Sequence, residues 1–542
     1  MDKFINRTKE FIFSRQSSIV SSAMLISVMI IASSFFGFLR YRILASYFTA
    51  NDLDIFFASF KLPDIIYEIL ITGAWTATFI PIFIKYQSNK QDLDDHISAI
   101  INFISLLLAL FIIILLIFMD RLVPIIAPGY THAKVEKIIY FSRLLLLGQL
   151  PFMVLGNFLT GIGQANKTFL LSAIAPVIYN VSIIVVTVLF ANQFALLAPV
   201  MGVIAGAALF FLIQLPLLSD SGYTYRLFIK KTAGLVDFIR MVIPRTFTVI
   251  VAQIDATIDL TLTTFLGGGA YTFFYLAQHL QLLPVSVIGI AFSQASLPYL
   301  SEIYQSQRME EFKKIVVNSI LNLFFLTIPI MCFFAFARTP LIRLFFGGQK
   351  FDWNATVTTA ITLSYFSIAL PLHSIYYFLT RCFYAILDSR TPFYISVVSI
   401  LINTALSLLF VFVLKLPVWA LAISFSVSMI INSTTLFIIL ARRLSGLDIS
   451  LLIGETVKIL VAATVSSVGT YYLMKILDTL VFDTSRTINI FFLLITILIF
   501  YSSVYLLLSW ILEIKEIYLI GRLLIKARNY QKRIVEIYTS YE

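Results

Sequence analysis

Charge is scarce in this chain. Only 12% of its 542 residues are charged, while 60% are hydrophobic. A soluble globular protein carries about twice that share of charge, so a string of soluble domains is excluded. Long hydrophilic stretches are also missing: the longest break between apolar runs, residues 218–236, leaves no room for a folded catalytic domain. Cysteine is nearly absent. Cys332 and Cys382 both sit in apolar surroundings, which excludes a disulfide framework and reads as two buried thiols. The chain has four histidines, no His/Cys/carboxylate set shows metalloenzyme spacing, and no nucleophile–base arrangement stands out. The run Gly267-Gly268-Gly269 reads as a tight external loop without a phosphate-binding role.

What the chain has in abundance is apolar stretches. About 20 such residues cross the hydrocarbon of a bilayer as a helix. Fourteen candidate spans are centred near residues 28, 70, 107, 148, 178, 207, 250, 283, 325, 368, 402, 430, 465 and 500. The expected fold class is therefore an all-α polytopic membrane protein. The first span reads as an uncleaved signal anchor. The net charge of +11 raises the question of nucleic acid, but its distribution answers differently. With the N-terminus inside, cytoplasmic loops and tails hold about 24 Lys and Arg against about nine on the opposite side. That is the positive-inside asymmetry, with both termini cytoplasmic and no nucleic-acid partner expected. The tail "KEIYLIGRLLIKARNYQKRIVEIY" mixes basic and apolar residues at helical spacing, which suits the anionic inner leaflet.

The sequence repeats itself. Phe56-Phe57 matches Phe273-Phe274, Ala74-Trp75-Thr76 matches Ala291-Phe292-Ser293, and Pro81 matches Pro298, all 217 positions apart. Further on, Pro151 and "FLT" match Pro371 and "FLT" at an offset of 220, and Thr168 and Asn180 match Thr391 and Asn403 at 223. Two small loop insertions produce such a drift. Six spans separate each pair, an even number, so the two halves share one topology around an axis along the membrane normal, with a cavity between them. The expected organisation is an amphipathic cytoplasmic N-terminus (1–17), a first six-helix lobe (18–219), a cytoplasmic linker (220–234) and a second six-helix lobe (235–445). Two further helices (446–513) and a basic cytoplasmic tail (514–542) complete it.

Where charge does occur within the spans, it is patterned. At 100° per residue, Asp54, Lys61, Asp64, Glu68 and Thr72 fall on one stripe of the second span, opposite Phe57, Ile66, Ile69 and Leu70. A charge at the bilayer centre costs ~3 kcal/mol or more, against ~0.5 kcal/mol returned by an apolar residue. Such a stripe is tolerable only when it faces water and partner charges. In the seventh span Arg245, Asp255 and Asp259 cluster likewise. Arg40 and Arg42 end the first span, Gln278 and His279 lie in the eighth, and Arg381 lies in the tenth. Bland readings stand beside the functional ones. Arg143 is expected to snorkel, Arg381 is within reach of the surface near Asp388, and Lys61 with Asp64 would make a structural pair. Asp255 and Asp259, four residues apart with like charge, need a cation between them.

Several segments carry a family resemblance: "SSFFGFLRYRILASYF", "DIFFASFKLPD", "TGAWTATFIPIFIKY", "GIGQANKTF", "FFYLAQHLQLLPVSVIGIAFSQASLPYLS" and "DSRTPFYISVVSILIN". In this order they resemble the MurJ (MviN) family of lipid II flippases, within the superfamily that also holds multidrug extruders. The "FKLP…GA…FIP" spacing is the most specific part. The resemblance implies fourteen helices, as two six-helix lobes plus two helices that form a groove for a lipid tail. It implies a multi-pass protein of the bacterial inner membrane that carries the undecaprenyl-diphosphate-linked peptidoglycan precursor across the bilayer as a monomer. It also implies a cavity whose basic residues hold the diphosphate, to which Arg40, Arg42, Asp54, Lys61, Tyr67, Glu68, Arg245, Gln278 and His279 are assigned. An ion-coupling site would use Asp255, Asp259 and Asn403, with sodium at Asp259 and Asn403. No cofactor is implied; sodium, protons or the membrane potential would drive the cycle. The match is partial. Family arginines are replaced by Ser34 and by Tyr67-Glu68, family acids by Tyr41 and Thr72, and an Asp-Arg pair by Gln278-His279.

Three functions compete. A flippase for a lipid-linked, diphosphate-bearing intermediate, lipid II or another lipid-linked oligosaccharide, accounts for the two additional helices and the "FKLP" pattern. A cation-coupled extruder of organic cations would use Asp54, Asp64 and Glu68 as cation binders and need no lipid groove. A membrane polymerase or glycosyltransferase would need catalytic carboxylates in a sizeable outer loop, and the outer loops are short with few acids.

Overall fold

The computed structural model describes residues 19–72, 75–228, 230–484 and 486–518. The expected amphipathic N-terminus and most of the basic tail lie outside this range. Among the described residues every regular element is helical. In a bilayer that is the economical solution, because a helix satisfies its own backbone polar groups. The elements are α1 (Ile19–Tyr47), α2 (Ala50–Ser59), α3 (Lys61–Tyr67), α4 (Trp75–Tyr86), α5 (Lys90–Ile126), α6 (His132–Gly148), α7 (Leu150–Ala165), α8 (Leu170–Phe194), α9 (Leu197–Leu212), α10 (Pro216–Ser221) and α11 (Ala233–Thr264). They continue as α12 (Ala270–Pro284), α13 (Ala291–Gln305), α14 (Met309–Phe336), α15 (Arg338–Phe346), α16 (Trp353–Ala385), α17 (Arg390–Leu408), α18 (Trp419–Leu444), α19 (Ile449–Leu480) and α20 (Thr487–Ile511).

Among the described residues, twelve helical stretches are long and apolar enough to cross a membrane. Two more, α2–α4 and α11, are long enough but belong to the charge-bearing second and seventh stretches of the sequence. The second is not one smooth helix. It breaks at Phe60, restarts with Pro63 in its first turn, where a missing N–H does no harm, and then passes through a π-helical turn at Glu68–Thr72.

The backbone itself records the duplication. A second π-turn, Val285–Ile290, begins 217 positions after the first. Left-handed residues recur as well: Lys167 and Leu387 are 220 apart, as are Ala195 and Lys415, while Gly222 and Ser445 are 223 apart. These are the offsets of the sequence repeat.

The chain forms two compact units. The first runs to Thr272 and also takes in Phe345–Ala355; the second comprises Phe273–Leu344 and the chain from Thr356 onward. The expected lobe boundary at 220–234 is thus not where the units divide. α11 packs on α3, α4, α5 and the first π-turn, because its polar face meets the polar stripe of the second span. Nor are residues 222–232 a free linker. Along α5, Asp94, Ser98 and Asn102 form a polar ladder at i, i+4 and i+8 that binds them as a strap. Thr224 N–H donates to Asp94 (2.8 Å) and Arg226 N–H to Ser98 Oγ (3.0 Å). Asn102 Nδ2 donates to the carbonyls of Arg226 and Phe228, both at 2.9 Å.

At the opposite end of the first unit, three glycines permit close backbone approach. A Cβ on Gly129 would collide with the Thr264 carbonyl oxygen, and one on Gly348 would stand 2.5 Å from the backbone of Ala45. At Gly268 a Cβ would collide with the Asn51 side chain. Phe345 and Phe346 pack against Phe38, and Phe346 also meets Tyr41, extending this seal.

In the second unit a large apolar core joins α13, α14, α16 and α18, with Phe312, Phe378 and Phe383 fully buried. α19 and α20 pack on α14 through Phe325, Ile328, Ile459 and Tyr505. The expected tail does not leave at residue 514: Ile514 is buried in this same cluster, so the chain folds back after α20. Between α17 and α18 runs a polar seam, where Ser399 donates to the Ser428 carbonyl and the Ser407 and Ser424 hydroxyls meet at 2.6 Å.

Candidate functional site

The charge stripe of the second span is resolved by the structure into two separate constellations, both within the first unit. The first surrounds Lys61, at the N-terminus of α3. The side chain is 8% exposed, and its ammonium donates to Gln253 Oε1 of α11 at 3.2 Å. Four carboxylates, Asp64, Asp259, Asp255 and Glu68, lie within electrostatic reach of that ammonium. Asp64 in turn feels Arg40 of α1. Asp64 is exposed although it lies midway along a span. Its charged and phenolic neighbours come from α1, α3, α8 and α12, through Arg40, Lys61, Tyr179 and Tyr271. That exposure is therefore onto an internal polar space. Neutral groups complete the wall. Asn157 Nδ2 of α7 donates to the Tyr67 hydroxyl at 3.0 Å, and Gln149 Nε2 donates to the Tyr179 hydroxyl at 3.4 Å. The Arg40 guanidinium lies 4.6 Å above the Tyr41 ring.

This arrangement follows from the local sequence. α3 and the π-turn after it present Lys61, Asp64 and Glu68 at i, i+3 and i+7, hence on one face. The π-turn that begins at Glu68 inserts extra backbone there, a device common at functional sites. An ammonium buried within electrostatic reach of several carboxylates is compensated by them; loss of either sign leaves an uncompensated charge.

The second constellation surrounds Asp54, which the resemblance assigns to the cavity. Asp54 is fully buried. Its carboxylate accepts from Gly269 N–H (2.7 Å), Thr272 N–H (2.9 Å) and Thr272 Oγ1 (2.9 Å), with the Lys134 ammonium at 3.7 Å. Its hydrogen bonds fasten α2 to the turn that opens α12, and Lys134 of α6 supplies the counter-charge. Gly267 and Gly269 take left-handed φ values of 100° and 88°, and this turn presents the Gly269 N–H.

The remaining candidates are dispersed. Asp255 is half-buried and Asp259 buried, both on α11. Arg42 is half-buried, two residues beyond Arg40 and so on a different face of α1. The side chain of Arg245 lies outside the described residues. Gln278 and His279 are half-buried in the second unit, where the His279 ring lies tilted against Tyr275, their centroids 3.9 Å apart. Asn403 is buried on the α17 face that also carries Ser399 and Ser407. Arg143, expected to snorkel, forms a two-pronged ion pair with Asp120 at 2.8 and 3.0 Å. Asp388 is engaged by Arg443 rather than Arg381, and Lys61 bonds Gln253 rather than Asp64. Ser34, at the position of a family arginine, lines a hollow of about 260 Å³ with Ser33, Gln164 and Ser172. Gln253, Asn157, Gln149 and Tyr179 went unrecognised in the sequence; their one available signal was amide or phenol within an apolar span.

The family model described as "Lipid II flippase MurJ" matches residues 44–492. The chain belongs to the MurJ family. Among relatives, a probable lipid II flippase MurJ of Rickettsia prowazekii is 28% identical over 400 residues, spanning 73% of this chain and 78% of the relative. The lipid II flippase MurJ of Burkholderia cenocepacia is 27% identical over 420 residues, 75% and 81% of the two chains. The fold is that of a solved lipid II flippase MurJ in an inward closed conformation, with a TM-score of 0.73 and 23% identity over 90% of this chain and 98% of the other. A multidrug-resistance MATE transporter of the MOP superfamily, in its inward-facing form, aligns at 0.64 and 15% identity over 79% of this chain and 98% of the other.

Proposed function

We propose that this protein flips lipid II, the undecaprenyl-diphosphate-linked peptidoglycan precursor, from the inner to the outer leaflet by alternating access. The observation that carries this reading is the family match across residues 44–492. The physical task is severe. A diphosphate and sugars drawn bare through hydrocarbon would cost tens of kcal/mol. An internal polar space lowers that cost while the lipid tail stays in the bilayer.

Within the first unit, we assign Arg40 and Lys61 to the diphosphate, since both are cations directed at the space where Asp64 is exposed. The carboxylates at Asp64, Glu68, Asp255 and Asp259 hold Lys61 in place when substrate is absent. Tyr67 and Tyr179, fixed by Asn157 and Gln149, offer hydroxyls to neutral sugar groups. Asp259 is the candidate for a coupling sodium ion; protons or the membrane potential are the alternatives. The protein sits in the inner membrane as a monomer with both termini cytoplasmic, and its basic tail meets anionic lipid.

The decisive test is rescue of a strain depleted of its lipid II flippase, read together with accumulation of the uncrossed precursor. Arg40→Ala abolishes rescue; full rescue by that variant removes Arg40 from the substrate site. One observation favours a second reading, extrusion of organic cations: four carboxylates lie within electrostatic reach of one ammonium. Vesicle uptake of an organic cation without any precursor translocation would establish it.

A further inference from the structure

The strap between Gly222 and Thr232 has two unlike sides. Its inner side is spent on α5, as described above. Arg226, a half-exposed strap cation, pairs with Asp95 at 2.9 Å and Asp94 at 3.7 Å. The nearby acid on α11, Asp237, is taken by Lys85 at 2.9 Å. Neighbouring carboxylates are thereby neutralised.

The outer side presents Leu227, 85% exposed, followed by Lys230 and Lys231, whereas the Tyr225 hydroxyl turns inward and donates to Asn102 Oδ1. Arg240, two turns into α11, is exposed beside Met241. This stretch lies between the end of one membrane span, Leu197–Ser219, and the start of α11. It therefore stands at the edge of the bilayer. Three exposed cations with a leucine, at the edge of the bilayer, form the pattern that seats protein on an anionic membrane surface.

We propose that the outer side of this strap docks on anionic phospholipid headgroups through Lys230, Lys231 and Arg240, with Leu227 seated among the upper acyl chains. The attachment is mechanically consequential. Thr232 caps α11, its Oγ1 accepting from Leu235 N–H at 3.3 Å, and the Gly234 N–H is held by His96 at 3.3 Å. Whatever holds the strap also holds the first turn of α11, the helix that carries Gln253, Asp255 and Asp259. Bilayer charge thus sets how firmly this helix is anchored, independently of the substrate.

The test is hydrogen exchange on the full-length protein in nanodiscs of phosphatidylcholine alone, or of phosphatidylcholine with phosphatidylglycerol. Three cations at an anionic surface amount to about a hundredfold in partitioning. Peptides covering 222–236 should therefore gain about tenfold or more protection when phosphatidylglycerol is present, and lose it as salt is raised. The variant K230Q/K231Q/R240Q should exchange alike in both discs, with α5 peptides as protected as in the parent. The proposal is overturned if the parent shows no lipid dependence or if the triple variant retains it. It is equally overturned if inorganic phosphate, added to discs of phosphatidylcholine alone, reproduces the protection. Precursor flipping enters none of these readings, so failure here leaves the proposed transport function standing.

Discussion

Replacing Asp54 by asparagine isolates the seal from the polar space around Lys61. The side chain keeps its shape, but it loses its charge and one acceptor. The amide oxygen of the variant still accepts from Thr272, whereas the Gly269 N–H, now 2.7 Å from an acceptor, would face an amide nitrogen that also donates. A hydrogen bond to a charged group contributes about 1.5–3 kcal/mol, and an orphaned buried donor costs about 1–3 kcal/mol. Lys134 loses its counter-charge as well. These overlap, and about 2–4 kcal/mol is a fair total, or roughly 30- to 1000-fold in the local opening equilibrium. Hydrogen exchange at the amides of Gly269 and Thr272 reads this directly, in nanodiscs at neutral pH. Asp54→Asn should accelerate exchange there by that factor while leaving the α5 amides unchanged. An acceleration below about threefold would refute the account of Asp54 as the fastening of α2 to α12.

Gly348→Ala places a Cβ 2.5 Å from the backbone of Ala45, at a cost of about 1–3 kcal/mol; a cysteine introduced in place of Ala45 should then react about tenfold faster or more with an impermeant thiol reagent. Gly454→Ala, which meets nothing within 4 Å, serves as the silent control. Asp388, in the loop between α16 and α17, is pushed up by partial burial, but hydrogen bonds from Thr391 and Arg443 outweigh this and hold it at about 2. A carboxylate lowered in the folded state stabilises above its unfolded value near 4, and that contribution disappears as pH falls from about 4 to about 2. Asp388→Asn should therefore lower stability at pH 7 by about 1–2 kcal/mol, discounted for the half-exposed Arg443, and the gap to wild type in unfolding curves should close near pH 2. If Asp259 binds the coupling ion, sodium raises the thermal stability of the parent, and Asp259→Asn removes that rise; an unchanged sodium response eliminates the site.

Much of the architecture was legible in the sequence because the constraints were local. Apolar runs long enough to span can only be helices in a bilayer, and the 217-residue echo predicts two equivalent halves. The stripe was read only in part. A single 100° wheel placed Asp54 beside Lys61, but the helix ends at Ser59 and restarts at Lys61, so the phase is lost between them. The hydrogen-bond partners of Asp54 lie more than 200 positions away, beyond the reach of any periodicity. Gln253 looks in the sequence like one polar residue among apolar ones; only packing brings it to Lys61. The strap escaped notice because its ladder is a cross-element match: Asp94, Ser98 and Asn102 read as a helix face, and 222–232 as a linker.

The paired π-turns have a mechanical consequence. Both begin 217 positions apart, and the flanking sequence keeps that spacing without a gap. Had one copy acquired its extra residue later, the register around it would have shifted by one. The widened turn thus sits at the same point of both repeats, and each half carries the same built-in point of give.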